Sequence, residues 1–185
     1  MDIFTAFGLS ISAGLNAYIP LLILSLLAKF TDLIKLESPW DALTNWWVIG
    51  ILIVLSLVEF FADKIPAVNH FNDAIQTFVR PAAGAIVFAA TASVAEVHPV
   101  LAMVAGLLVA GGVHATKSAA VRPAVTATTG GVGNVPVSIL EDIVSTLLSI
   151  FSIIIPIFIA IIVILITSLL VWWLWRRANR EELVE

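Results

Sequence analysis

Apolar residues form six long runs in this chain, and short charged stretches separate the runs. A helix needs about 20 apolar residues to cross the hydrocarbon core of a bilayer. The last run exceeds one crossing, so we expect a kink at Pro156 and a crossing from about Ile154 onward. The pattern predicts an all-α polytopic membrane protein with about six transmembrane segments, a single integral membrane domain over residues 1–185. The runs are 3–28, 46–62 (interrupted only by Glu59), 81–95, 100–116, 123–140 and 143–175.

The composition agrees with a membrane protein. Hydrophobic residues make up 61% of the 185 residues, charged residues only 12%, and the mean hydropathy is +1.09. A soluble domain of this size has too little interior to hide so much apolar surface, which excludes a free cytosolic enzyme or a disordered chain. The net charge of -4 leaves no basic surface for nucleic acid. There is no cysteine, so disulfides and thiolate metal sites are excluded.

The distribution of Lys and Arg predicts the orientation. No Lys or Arg precedes the first run, so we expect it to remain in the mature protein and not to act as a cleavable signal. With six crossings and both termini in the cytoplasm, only Lys29 and Lys35 lie outside, in agreement with the positive-inside rule. If the run 123–140 does not cross, the bias nearly vanishes. We therefore expect 123–140 to be a weak span or a re-entrant loop. In the arrangement with six crossings, the Lys and Arg residues on the cytoplasmic side are Lys64, Arg80, Lys117, Arg122, Arg176, Arg177 and Arg180.

Two of the apolar runs are interrupted by Gly, Asn and Pro, near 14–20 and near 130–136. Unwound backbone at membrane depth is tolerated only inside protein or beside a watery cavity, and interrupted spans point to substrate sites. We expect broken or re-entrant segments at both places, with Asn16, Thr129 and Asn134 lining a polar path. Ser12 would line the same path. Close helix packing through small residues is the alternative.

The stretch 64–80 has helical periodicity with one apolar and one polar stripe. It predicts an amphipathic helix in the cytoplasmic interface whose polar stripe faces water. The apolar stripe contains Val68, Phe71, Ile75 and Phe78, and the polar stripe contains Asn69, Asp73, Gln76 and Arg80.

Ionisable residues gather on the side predicted to be cytoplasmic. Such groups are costly near a membrane and usually functional. Arg80 and Arg122 each precede a proline at a predicted helix start, where arginine suits a phosphate or carboxylate. We expect a binding site for an anionic group, or else ion pairs that pin the helices together. Glu141 and Asp142 are expected on the outer side. The candidate residues are Asp63, Lys64, Asp73, Arg80, His114, Lys117 and Arg122.

Several phrases of the sequence are distinctive: SAGLNAYIPLL, EFFADKIPAVNHFNDAIQTFVRPAAGA and HATKSAAVRPAVTATTGGVGNVPVSILED. They resemble the bacterial membrane-protein family catalogued as domain of unknown function 4126. The resemblance covers nearly the whole chain and implies one multi-spanning domain in the bacterial cytoplasmic (inner) membrane. It implies no catalytic or binding residues, because the family has no assigned activity.

Three functions fit the pattern. A transporter or channel would pass a small, anionic solute along the broken helices, with the charged residues holding a charge or relaying protons. A lipid-handling protein would hold a head group with Arg80 and Arg122. A scaffold would need no chemistry. No catalytic motif is visible, and no cofactor or metal is expected. The expected partners are membrane lipids, a small solute or a lipid head group, and a second copy packed through Gly106, Gly111 and Gly112.

Overall fold

The computed structural model describes residues 3–92 and 97–181, so the end of the run 81–95 lies outside the described residues. The described chain is helical and contains no strand, which confirms the all-α prediction. A 3₁₀ turn lies at Trp40–Thr44 and one turn of π-helix at Lys117–Val121. The α-helices are α1 (Ile3–Leu15), α2 (Tyr18–Phe30), α3 (Trp46–Ala62), α4 (Pro66–Ala92), α5 (Pro99–Thr116), α6 (Arg122–Thr129), α7 (Asn134–Ile154) and α8 (Pro156–Glu181).

Among the residues that the structure describes, three stretches are long and apolar enough to cross a membrane: Phe71–Ala92, Pro99–Thr129 and Asn134–Ile154. α1, α2 and α3 are shorter apolar helices. The break expected at Pro156 is confirmed, since α7 ends at Ile154 and α8 starts at Pro156. The start expected for the last crossing, about Ile154, falls at this break, and residues 143–154 are the second half of α7.

The bundle exposes apolar side chains and buries polar ones. Trp47, Phe78 and Leu108 are exposed, whereas Ser12, Glu59 and Arg80 are buried. In water this arrangement would be unfavourable, because apolar burial drives folding. In lipid it is the expected one, because polar side chains find partners only inside the protein. The fold is therefore that of a membrane protein.

α1 and α2 form a helical hairpin. Trp40, in the 3₁₀ turn after α2, packs against the buried cluster that contains Ala6 of α1 and Phe88 of α4. Lys29, at the end of α2, donates a hydrogen bond to the carbonyl of Thr44 in the same turn. Both ends of the run 3–28 thus lie together, and the chain reverses at Asn16. We call the two ends of the bundle the Asn16 end and the Trp40 end. The break predicted near 14–20 is confirmed, but the run does not traverse the bundle.

α6 and α7 form a second hairpin, at the Asn16 end. Gly130 and Gly131 adopt positive φ angles of 63° and 91°, which favour glycine. Arg122 at the start of α6 lies 3.4 Å from Glu141 in α7. The chain therefore extends away from the Arg122–Glu141 contact along α6 and comes back to it along the start of α7. The break expected near 130–136 is present, and of the two alternatives expected for the run 123–140 a single separate crossing does not fit, because its two ends are in contact.

The stripes of α4 face the opposite way to the prediction. Gln76 and Arg80 of the polar stripe are buried, whereas Phe71 and Phe78 of the apolar stripe are exposed. Gln76 and Arg80 face the interior of the bundle and not water, because the outside of the bundle is apolar, while Asp73 is partly accessible. The helix also continues past Pro81 into the span Phe71–Ala92 and is not a separate interfacial helix.

Small residues bring the helices close together. A Cβ on Gly84 would lie 2.7 Å from the carbonyl oxygen of Gly106, so α4 and α5 touch through their backbones. Ser12 of α1 bonds to the hydroxyls of Ser145 and Ser149 of α7 at 2.7 and 2.6 Å. Gly106 therefore serves packing within the chain, contrary to its expected role between copies. Ser12 is fully buried at this interface, which corrects its expected place on a polar path.

α8 crosses the level of the Asn16 end. It follows α7, whose last turns lie at the Trp40 end, where Thr5 bonds to the carbonyl of Ser152. Ile166 and Leu170 of α8 then line the same cavity as Leu15 and Lys117. The start of α1 and the end of α8 thus lie at opposite ends of the bundle.

Candidate functional site

A charge cluster occupies the Asn16 end of the bundle. It joins five carboxylates, four cations and one histidine from the helices α3 to α7, the α3–α4 turn and the π turn. Burying so many charges is costly and does not by itself stabilise a fold. The members are Glu59, Asp63, Lys64, Asp73, Arg80, His114, Lys117, Arg122, Glu141 and Asp142.

Arg80 and Glu59 form the innermost pair. The guanidinium nitrogen Nη2 of Arg80 lies 2.9 Å from Oε1 of Glu59, and neither side chain is accessible to solvent. A second guanidinium nitrogen, Nη1, lies 3.2 Å from Nδ1 of His114. Arg80 belongs to α4, Glu59 to α3 and His114 to α5. The two contacts of the Arg80 guanidinium therefore join three helices at one point.

Asp63 lies at the centre of the cluster, in the turn between α3 and α4. One of its oxygens, Oδ2, lies 3.5 Å from Nη2 of both Arg80 and Arg122, and Asn72 donates a hydrogen bond to the other at 2.7 Å. Burial acts to raise the pKa of Asp63, but Lys117, Arg80 and Arg122 together hold it below its ordinary value. Asp63 is therefore ionised throughout the neutral range.

α7 supplies two further carboxylates to the cluster. Glu141 lies 2.7 Å from Nζ of Lys117 and 3.4 Å from Nη2 of Arg122. Asp142 lies 3.0 Å from Nζ of Lys64. The expectation that Glu141 and Asp142 lie on the outer side was wrong, because both pair directly with cations of the opposite predicted side.

The reversal between α1 and α2 is part of the same site. Helix ends leave backbone groups without helical partners. Glu59 accepts a hydrogen bond from the backbone N–H of Ala17 at 3.2 Å, and Lys117 donates one to the carbonyl of Leu15 at 3.2 Å. The side-chain amide of Asn16 donates to Asp142 at 3.0 Å. The cluster thus satisfies the backbone that the helix break exposes.

The cluster becomes more accessible toward the Asn16 end. The side chains of Glu59 and Arg80 are 0% exposed, those of Glu141 and Asp142 are 11% exposed, and that of Asp73 is 25% exposed. The π turn that begins at Lys117 lies beside this accessible part, and π-helical turns often occur at functional sites. Accessibility therefore falls from Asp73 at the outer edge of the cluster to the pair Arg80–Glu59 at its centre.

The charges of the cluster do not cancel. With His114 neutral, five carboxylates face four cations, so one negative charge is in excess. Each cation has a carboxylate within 4 Å. The cluster, as far as the structure describes it, thus offers no unpaired cation to an anionic solute.

Eight of the predicted site residues meet in or beside this cluster. Thr129 and Asn134 do not, because they close the α6–α7 turn instead. Thr129 accepts from the backbone of Gly133 at 3.0 Å, and Asn134 donates to Thr126 at 2.9 Å. The residues that meet are Asn16, Asp63, Lys64, Asp73, Arg80, His114, Lys117 and Arg122.

Three members of the cluster are missing from the candidates predicted from the sequence: Glu59 in α3, and Glu141 and Asp142 in α7. A signal was present, since polar residues recur every three or four positions along α7 and all of them are buried. Such a stripe in an apolar helix indicates a face turned toward the protein. Read in this way, Asp142 lies on the same buried face of α7 as the serines, and Glu141 is its neighbour in the chain. The stripe is Ser138, Asp142, Ser145, Ser149 and Ser152.

An apolar cavity of about 750 Å³ lies beside the cluster, between α1, α5, α7 and α8. Its walls include Ile11, Val113, Val144 and Leu170, and the ion pair Lys117–Glu141 lies at its boundary. Thr129 and Asn134 are not among its lining residues. The cavity therefore differs in character from the polar path expected from the sequence.

Within 3–92 and 97–181, no group of three or more His, Asp or Glu side chains is arranged to hold a metal ion. Each carboxylate described above faces a Lys or Arg instead. The cluster is thus an ion-pair network.

A family model matches residues 3–177, which is almost the whole chain. The chain belongs to the family described as "Domain of unknown function (DUF4126)". Neither a curated protein nor a solved structure matches it. The resemblance predicted from the sequence is thus confirmed, and the function has to be argued from the site.

Proposed function

We propose that this protein transports a small positive charge, a proton or a monovalent cation, across the membrane through the charge cluster. The observation that carries the proposal is the pair Arg80–Glu59, which is inaccessible inside a bundle with membrane-spanning helices. Ionisable groups inside a membrane domain commonly belong to ion pathways or proton relays. The surplus carboxylate supplies the place for the transported charge.

The packing on the other side of the cluster supports alternating access. Toward the Trp40 end, Gly84 and Gly106 allow the backbones of α4 and α5 to touch. The cluster therefore opens only toward the Asn16 end in this state. Transport then requires these contacts to loosen, with the ion pairs exchanging partners as the charge passes.

The membrane topology proposed here has five crossings and one re-entrant hairpin. α3, α4, α5 with α6, α7 and α8 cross, while α1 and α2 enter from the Trp40 side and return. The Asn16 end faces the bacterial cytoplasm, because Lys64, Lys117 and Arg122 lie there, and Lys29 lies at the other end. The N-terminus is then outside and the C-terminus inside, which replaces the expectation that both are cytoplasmic.

The burial of Arg80 weakens the lipid-handling alternative, which needs Arg80 and Arg122 to hold a lipid head group. Arg80 is 0% exposed and pairs with Glu59, so it is not placed to hold a head group at the membrane surface. A scaffold without chemistry remains an alternative, because ion pairs can also pin helices. The experiment below separates the scaffold from the transporter.

The test is ion flux into proteoliposomes that contain only the purified protein. A potassium diffusion potential drives protons, which an internal pH-sensitive dye reports, and labelled sodium is measured in a second assay. Flux of either ion above that of protein-free vesicles supports the proposal. Flux of neither ion contradicts it.

Variants locate the flux in the cluster. Glu59→Gln keeps the shape of the side chain but removes its charge, and Asp73→Asn does the same at the accessible edge. Both are expected to reduce flux by about tenfold or more, equivalent to about 1.4 kcal/mol in the barrier. Asp32→Asn removes an exposed carboxylate near the Trp40 end and is the matched control. Equal flux in all three variants would contradict a role for the cluster.

A further inference from the structure

The cavity between α1, α5, α7 and α8 has the two-part chemistry of an amphiphile site. Eleven of its fourteen lining residues are apolar or glycine, and the others are Thr116, Lys117 and Glu141. Its volume of about 750 Å³ lies in the range of small-molecule sites, about 300 to 1,000 Å³. Hydrocarbon fits such walls, and a polar group fits their charged edge.

The charged edge defines the polar group. Nζ of Lys117 and Oε2 of Glu141 lie 2.7 Å apart, so the edge offers one cation and one carboxylate together. An anionic head group would match Lys117 but would repel Glu141. A head group with both a phosphate and a primary amine matches both, because the phosphate accepts from Lys117 and the amine donates to Glu141.

We propose that this cavity binds a zwitterionic phospholipid with a primary amine, with one acyl chain between α5 and α8 and the head group at the Lys117–Glu141 pair. The exchange of the protein ion pair for two protein–lipid pairs leaves no charge of the site unpaired. The acyl-chain part of the cavity contains no member of the innermost pair Arg80–Glu59, so lipid binding can be measured separately from ion transport.

Gly112 gives direct access to the cavity for a test. It lines the cavity, and a Cβ added there would meet nothing within 4 Å. Gly112→Phe therefore places a ring in the acyl-chain space without a backbone clash. Gly50 in α3 is the matched control, because it is also exposed in an apolar helix and also has open space.

The experiment is native mass spectrometry of the full-length protein with added lipids. Phosphatidylethanolamine carries a phosphate and a primary amine. Phosphatidylcholine has a quaternary amine with no N–H, and phosphatidylglycerol has no amine. We expect phosphatidylethanolamine to be retained about tenfold better than the other two, a difference of about 1.4 kcal/mol. Gly112→Phe is expected to lose this binding, and Gly50→Phe to keep it.

Two results would overturn the lipid site. One is equal retention of the three lipids by the wild-type protein, and the other is unchanged retention by Gly112→Phe. A second variant, Glu141→Gln, tests the head group separately, because it should lower the preference for phosphatidylethanolamine over phosphatidylglycerol. Absence of ion flux in the wild-type protein, with its lipid binding intact, would contradict the transport proposal and leave the lipid site in place.

Discussion

Arg80 donates two hydrogen bonds to a single oxygen of Glu59, at 2.9 Å from Nη2 and 3.3 Å from Nε. Both side chains are fully buried, and the other carboxylate oxygen accepts from the backbone of Ala17. The pair therefore joins α4, α3 and the reversal between α1 and α2. Its position explains how a chain with short first helices holds a hairpin inside the bundle.

Removal of one partner should destabilise the protein strongly. Arg80→Leu leaves the Glu59 carboxylate buried without its cation, which typically costs about 3 to 5 kcal/mol. Thermal unfolding in detergent should show a large fall in Tm. The double variant Arg80→Leu with Glu59→Leu should recover most of the loss, because an apolar pair has no unpaired charge. A double variant as unstable as the sum of the singles would contradict this account.

The contribution of Asp63 should depend on pH. Its pKa is lower in the folded protein than its ordinary value, so its stabilising effect is fully present above about pH 4 and is lost as pH falls further. Asp63→Asn should therefore unfold at lower temperature than wild type from pH 5 to 8. The difference should shrink below pH 4. A difference that grows on acidification would contradict the ion pairing of Asp63.

Much of the fold and of the cluster could be predicted from the sequence. The apolar runs predict the helices, and Asn16 near Gly14 and Pro20 predicts the break. Charged residues inside a membrane protein pair with one another, because lipid offers them no partner. The grouping of Asp63 with Arg80 and Arg122 could therefore be predicted from the sequence alone.

The orientation of faces and helices could not be predicted in the same way. Gln76 and Phe78 lie on two stripes, and the stripe pattern alone does not state whether water or lipid surrounds the helix. The direction of α2 depends on Trp40 packing against the cluster that contains Ala6 and Phe88, which are far from it in sequence. Glu141 was misplaced because a crossing was assigned where the chain reverses at Gly130.

The inward polar stripe of α4 predicts which residues contact lipid. The chain has no cysteine, so single-cysteine variants need no background substitutions. A spin label at Phe71→Cys or Phe78→Cys should be relaxed by oxygen, which partitions into lipid, more than by a water-soluble nickel chelate. Asp32→Cys, which is exposed near the Trp40 end, should show the reverse. Preferential relaxation of Phe78→Cys by the chelate would contradict the orientation of α4.

The proposed topology predicts accessibility from opposite sides. Val132 is 80% exposed in the α6–α7 turn, and Asp32 follows α2 near the Trp40 end. An impermeant maleimide should label Asp32→Cys in intact cells and Val132→Cys only in inside-out vesicles. Protection of Val132→Cys on both sides would instead favour a buried, membrane-crossing 123–140 segment.

The contact between α4 and α5 predicts that alanine substitutions at Gly84 and Gly50 differ in their effect on the stability of the protein. A Cβ at Gly84 would lie 2.3 Å from Cβ of Ala110 and 2.7 Å from the carbonyl oxygen of Gly106, so the helices must separate. Gly84→Ala should cost about 1 to 3 kcal/mol through overpacking. Gly50→Ala should be neutral or slightly stabilising, because nothing lies within 4 Å. Equal Tm values for the two variants would contradict the close approach.

The central claim is that the buried charges carry ions and do not merely hold the helices together. Proton and sodium flux through the double variant Arg80→Leu with Glu59→Leu tests it most directly, because that variant should be stable without the pair. The account predicts a folded protein, with a Tm near that of wild type, that conducts neither ion in proteoliposomes. Wild-type flux in the folded double variant would contradict it.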